Sequence, residues 1–99
     1  NRYKDGKSYI GYHSDDEDDL VKKSSIMGIS LGCARDFLFR PVKSFIPKNI
    51  YDTICINLSH GSLIQIKSPT NEYWQHSIPK RAKIKNSRIS LTFRCMKIC

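Results

Sequence analysis

The sequence lacks any apolar run approaching the ~18 residues that span a bilayer, and nothing at its start has the pattern of a signal peptide. No membrane partner is therefore expected. Long amphipathic helical stretches and internal repeats are also missing, so a parallel fold built on crossover helices is not expected. The four cysteines, Cys33, Cys55, Cys95 and Cys99, form no C-x-x-C pair and no regular framework spacing. That pattern speaks against a disulfide scaffold or a structural zinc site. Free thiols in a reducing, intracellular compartment are expected instead, nuclear or cytoplasmic, with Cys33 and Cys55 buried as small hydrophobes. No methionine opens the chain. It begins at Asn1, as a piece cut from a longer protein would.

Acidic residues stop at Glu72, while Lys80, Arg81, Lys83, Lys85, Arg88, Arg94 and Lys97 follow. The formal charge of +8 over 99 residues points to a polyanionic partner and to one domain at most, residues 1–99. Against this basic background, five of the nine acids crowd into one run, Asp15 to Asp19, directly after the histidine of "YHSDDEDD".

What is present has mostly a period of two. "SYIGYH" (8–13) reads as a strand feeding the acidic loop. "SIMGISLG" (25–32) and "ARDFLFR" (34–40), hinged near Gly32, fit consecutive strands of one antiparallel sheet. "PVKSFIPKN" reads as a loop, and "SHG" (59–61) between two apolar runs is a hairpin signal. Turn chemistry at Pro69 to Asn71 predicts one helical turn, then a short strand around His76. "SRISLTFRC" is a clean alternating strand. The architecture expected is all-β, a jelly roll of six to eight short, mostly antiparallel strands.

Two residues of one strand at i and i+2 point to the same side, so His13 and Asp15 offer an imidazole and a carboxylate to one point. A third ligand has to come from elsewhere, and His60 and His76 are the remaining histidines. Two histidines and one carboxylate on one face of an octahedral metal are the facial triad of non-haem Fe(II) oxygenases, whose open positions take cosubstrate and O₂. In "RISLTFR", Arg88, Ser90, Thr92 and Arg94 share one face, and Ile89, Leu91 and Phe93 share the other. The apolar face belongs in the core or between sheets. The polar face aims two guanidiniums in one direction, suited to a dicarboxylate such as 2-oxoglutarate. Phe37, Phe39 and Phe93 are expected in the core.

Taken together, "NRY" with "DG" (1–6), "HSDDE" (13–17), "ISLGCARDFLFR" (29–40), "LSHGSLIQI" (58–66), "PTNEYWQHSIP" (69–79) and "RISLTFR" (88–94) resemble the AlkB family of Fe(II)/2-oxoglutarate dioxygenases. The resemblance implies a double-stranded β-helix that uses Fe(II), 2-oxoglutarate and O₂. It implies iron ligation by His13, Asp15 and His76, and 2-oxoglutarate held by Asn1, Tyr3, Arg88, Thr92 and Arg94. Asp16 matches a position that touches the substrate base, while Glu17, Asp18 and Asp19 read as a solvated loop. The implied activity is oxidative demethylation of N-alkylated bases, 1-methyladenine or 3-methylcytosine, in DNA or RNA by a monomer. Succinate, CO₂ and formaldehyde would be released. Such a base must be single-stranded or flipped out, and Lys80, Arg81, Lys83 and Lys85 are candidates to meet phosphates. Much of the family's nucleotide-recognition lid precedes the region that begins at Asn1. Two other readings of the same residues are a 2-oxoglutarate-dependent hydroxylase of a protein or small molecule, and a non-catalytic jelly-roll binding module.

Overall fold

The computed structural model describes residues 1–15, 23–42 and 53–95. Eight strands and one helical turn follow in order: β1 (Arg2–Tyr3), β2 (Ile10–His13), β3 (Ile26–Gly32), β4 (Arg35–Pro41), β5 (Ile54–Leu58), β6 (Leu63–Ile66), α1 (Thr70–Tyr73), β7 (Trp74–Ile78) and β8 (Arg88–Phe93). They form two four-stranded sheets, ordered β1-β8-β3-β6 and β2-β7-β4-β5, with every pairing antiparallel. The all-β expectation is borne out, including the helical turn before the strand of His76. Among the described residues no helix is long and apolar enough to cross a membrane. The loop "PVKSFIPKN" lies outside the described residues from position 43 onward.

Two pairings read from the sequence need correction. β3 and β4 are consecutive but belong to different sheets, and so do β5 and β6 on either side of "SHG". Neither pair is a hairpin; both connections are corners that carry the chain across the sandwich. Gly32 makes the first corner at φ +94°, where an added Cβ would lie 2.5 Å from the Ser87 carbonyl oxygen. The second corner locks onto the first: the Gly32 N–H donates to His60 Nδ1 at 2.9 Å, and the Gly61 N–H to the Ser30 carbonyl at 2.7 Å. Turn residues mark where a strand ends. They do not say whether the next strand returns to the same sheet.

The core draws on both layers. Tyr3, Ile26 and Ile66 come from one sheet, and Phe37, Phe39, Leu58 and Ile78 from the other. Each such side chain contributes about 1.5–3 kcal/mol on burial. β4 shows the alternation behind this, with Arg35, Phe37 and Phe39 buried in turn. Among the described residues, five buried polar ones lie beside these seven: Ser30, Arg35, His76, Ser77 and Arg88. A small core with this polar content depends on those groups being hydrogen-bonded or serving a site.

β8 reverses its expected orientation. Ile89, Leu91 and Phe93 are 43–53 % exposed, whereas Arg88 is buried and its face lines an internal cavity. Alternation tells which residues share a face but not which face turns inward, and the cavity beneath this strand takes polar and charged side chains beside apolar ones. Phe93 is thus outside the core that Phe37 and Phe39 do join. Cysteine burial is also corrected: Cys55 is exposed and Cys33 half-buried, though Cys33, Cys55 and Cys95 are free thiols as expected.

Candidate metal and cosubstrate site

His13 closes β2 and His76 sits at the centre of β7, and the two are register partners. Asp15 lies just past β2, its side chain only 8 % exposed. Its two oxygens face one histidine each: Oδ1 is 3.8 Å from His13 Nε2 and Oδ2 is 3.9 Å from His76 Nε2. These separations exceed the roughly 2.7–3.2 Å of an N–H···O hydrogen bond. The three ligand atoms lie within 4.8 Å of one another, around a shared point instead of bonded to each other.

His13 Nδ1 is 2.8 Å from the Gly11 carbonyl, a bond in which Nδ1–H donates, so in the neutral ring the lone pair lies on Nε2, facing the cluster. His76 is stacked on Phe37 with ring centroids 5.2 Å apart. Burial, reinforced by the neighbouring His13 and Arg94 and opposed by Asp15, lowers the His76 pKa to about 4. Its imidazole is neutral at physiological pH, as a metal ligand requires.

One cavity joins this cluster to β8. Asn1, Tyr3, His13, Asp15, His76, Arg88, Thr92 and Arg94 all line it, with Ile10, Ile26 and Phe37 among its apolar walls. The cavity opens to solvent at its mouth. Arg94 stands at the metal end, Nη2 3.6 Å from Asp15 Oδ1. Arg88 is the deeply buried cation. Its Nη2 donates to Ser30 Oγ at 2.8 Å, its guanidinium lies 5.2 Å from the Tyr3 ring, and its Nε has no partner among the described residues. Burial pulls the Arg88 pKa below the ordinary guanidinium value, and Tyr3 opposes the shift. A buried guanidinium with an unmet donor fits a carboxylate ligand.

All the expected site residues within the described portion thus meet in one place; Asp16 lies outside the described residues. One expectation changes in its cause. Asp15 is not on the strand with His13, so i, i+2 alternation does not aim it. The Asn71 side-chain amide of α1 holds its backbone instead, accepting from the Asp15 N–H at 3.1 Å and donating to its carbonyl at 2.6 Å. Asn71 escaped the sequence reading because one amide in a turn has no distinguishing pattern. Arg35 escaped it too. That residue is 1 % exposed and donates to the carbonyls of Asp5, Ser8 and Pro79.

Two imidazoles and a carboxylate grouped inside a β-sandwich fit a mononuclear metal centre of the two-histidine, one-carboxylate class. Residues 1–94 match the 2OG-Fe(II) oxygenase superfamily, and the chain belongs to that family. It is 45 % identical over 96 residues to the DNA oxidative demethylase ALKBH2 of Bos taurus, covering 95 % of this chain and 34 % of that protein. The Mus musculus ALKBH2 is 44 % identical over 96 residues, covering 95 % and 40 %. The Mus musculus alpha-ketoglutarate-dependent dioxygenase alkB homolog 3 is 34 % identical over 97 residues, covering 95 % and 34 %. The AlkB-like character read from the motifs is borne out. The chain spans little more than a third of the length of these curated relatives. The family implies Fe(II), 2-oxoglutarate and O₂ as cofactor and cosubstrates.

Proposed function

We propose that this chain is the core of a nucleic-acid demethylase that removes N-methyl groups of the 1-methyladenine and 3-methylcytosine type. His13, Asp15 and His76 hold Fe(II) in this reading. Arg88 takes one carboxylate of 2-oxoglutarate at the buried end of the cavity and Arg94 faces the keto-acid end, with Asn1, Tyr3 and Thr92 completing the cradle. The observation that carries the proposal is the meeting of His13, Asp15 and His76 in the same cavity as Arg88 and Arg94.

When bound, the iron supplies the oxidation: 2-oxoglutarate and O₂ give succinate and CO₂, and the second oxygen atom reaches the methyl carbon, which leaves as formaldehyde. The protein's own share is placement. His13 and His76 present ring nitrogens, Asp15 offsets the cation's charge, and Arg88 fixes the direction in which the dicarboxylate enters. Ile10, Ile26 and Phe37 supply apolar walls to the cavity. The substrate base enters at the open mouth, with Asp16 its proposed hydrogen-bond partner. The name of the ALKBH2 relatives, DNA oxidative demethylase, supports a nucleic-acid substrate. Free thiols at Cys33, Cys55 and Cys95 support an intracellular setting, nuclear or cytoplasmic.

The test is mass spectrometry of short DNA and RNA oligonucleotides carrying 1-methyladenine or 3-methylcytosine, incubated with the full-length protein, Fe(II) and 2-oxoglutarate. Loss of the methyl group with matching formaldehyde and succinate is expected, and His76→Ala should abolish all three. Succinate formation indifferent to oligonucleotide but stimulated by a peptide or metabolite would replace the substrate class. Undiminished turnover in His76→Ala would remove the metal assignment.

A further inference from the structure

The ladder between β2 and β7 ends at the pair His13–His76. Carried two residues further, that register would set Asp15 opposite Trp74, the first residue of β7. Before Trp74 the chain coils into α1, where the Glu72 and Tyr73 N–H groups bond back to the Pro69 carbonyl. Asp15 therefore falls at the very end of β7, beyond which no strand continues the ladder. Asn71 fills the gap. A primary amide carries the same donor and acceptor as a peptide unit, and Asn71 uses both on one residue, at 3.1 Å and 2.6 Å. A second tether holds the adjacent position, Ser14 Oγ donating to the Trp74 carbonyl at 2.9 Å.

The carboxylate of Asp15 accepts no hydrogen bond shorter than its approaches to His13, His76 and Arg94, at 3.8, 3.9 and 3.6 Å, among the described residues. Among the described residues, nothing holds the ligand oxygens by a direct hydrogen bond. Their direction follows from the backbone of Asp15, which Asn71 clamps from both sides. We infer that Asn71 is a positioning residue for the metal: its amide acts as a substitute strand, holding Asp15 so that its carboxylate meets the two imidazoles. The inference rests on the proposed role of Asp15 as a ligand. Partners that orient metal ligands are worth about 10–100-fold in metal affinity.

The experiment is titration of the metal-free protein with Mn(II) alone, by calorimetry, alongside thermal melting in the absence of metal. Asn71→Ala should weaken Mn(II) binding about 10–100-fold, while metal-free melting stays close to wild type. Asn71→Asp keeps the size and the bond from the Asp15 N–H. It replaces the donor facing the Asp15 carbonyl with an acceptor, so it should weaken binding as well, and it serves where alanine does not fold. Thr70→Ala, on the exposed side of the same turn, should bind Mn(II) as wild type does. If Asn71→Ala and Asn71→Asp both bind within about threefold of wild type while Asp15→Ala does not bind, the positioning role is wrong and the metal site stands. If Asp15→Ala itself retains wild-type affinity, the metal reading fails and takes this inference with it.

Discussion

His13 and His76 stand directly across from one another on β2 and β7, their rings edge to face with centroids 4.4 Å apart. Sheet register, not loop conformation, therefore brings together two ligands 63 positions apart in the chain. A slip of one residue in that pairing would turn either ring to the other side of the sheet. His76 is buried against Phe37 and Phe39, and that burial makes the ring costly to protonate.

The first prediction follows from that cost. The folded-state pKa of His76 is about 4, below the ~6.5 of a free imidazole. The unfolded chain therefore takes up a proton before the folded one as pH falls. The stabilisation is complete above about pH 6.5 and is lost progressively towards pH 4, by at most ~1.4 kcal/mol per pH unit. Urea unfolding of the chelator-treated protein at neutral pH and near pH 5 measures this. The wild type should lose more stability over that interval than His76→Phe, and equal losses would contradict the assignment.

A second prediction concerns Arg88. Its planar fork, held by Ser30 Oγ, leaves Nε available in a buried cavity. Lysine would retain the charge but not the paired geometry. Losing one charge-assisted hydrogen bond of about 1.5–3 kcal/mol should weaken 2-oxoglutarate binding roughly 10- to 100-fold in Arg88→Lys. Calorimetric titration of 2-oxoglutarate into the Mn(II)-loaded protein reads this directly. Mn(II) affinity before cosubstrate is added should be unchanged.

Arg35 gives the third. Its guanidinium reaches Asp5 and Ser8 in the β1–β2 connection and Pro79 after β7, at 3.1, 2.8 and 2.7 Å. In Arg35→Met those carbonyls lose their donors inside the protein, and removing a desolvated cation offsets only part of the loss. Destabilisation of about 3 kcal/mol is expected, a fall of roughly 10–20 °C in Tm for a domain this size. Gly6→Ala should act on the same junction, since its new Cβ would meet the Arg81 carbonyl oxygen. Scanning calorimetry of both variants is the check. A Tm within a few degrees of wild type for Arg35→Met would show that the clamp adds little.

These residues also show what a sequence can disclose. His13 and Asp15 were legible from their ligand chemistry, and Arg88 and Arg94 because their spacing maps onto a period of two; the strand alternation expected to aim Asp15 was not what placed it. Which sheet each strand joins was not legible, because β3 and β4 alternate alike whether they pair or part. The facing of β8 was hidden for a related reason: the cavity it borders is lined by charged and polar groups as well as core side chains, so burial does not follow hydrophobicity there. Arg35 and Asn71 act through backbone groups of residues 27 to 56 positions away. A bond to a carbonyl or an amide leaves no trace in the identity of the partner.

The basic segment after β7 separates into anchors and exposed charges, and the fourth prediction turns on the difference. Arg81 Nε donates to Asp36 Oδ2 at 3.0 Å, and the Arg81 N–H reaches the Gly6 carbonyl at 2.7 Å. Hydrogen bonds from Asn57 and then Arg81 hold the Asp36 carboxyl below its ordinary pKa, so the pair is intact at neutral pH. Lys80 rests over the Tyr9 ring at 4.5 Å and Lys83 is exposed, leaving both ammonium groups near solvent. The double variant Lys80→Glu/Lys83→Glu should therefore bind single-stranded oligonucleotide more weakly and with a flatter salt dependence, the slope falling by about 0.7 for each phosphate no longer neutralised. Its Tm should stay near wild type. Arg81→Glu should show the opposite balance, a lower Tm because Asp36 is left facing a like charge. Fluorescence anisotropy across a salt series, read beside thermal melting, separates the two. An unchanged salt slope in the double variant would mean that this segment does not meet the phosphates.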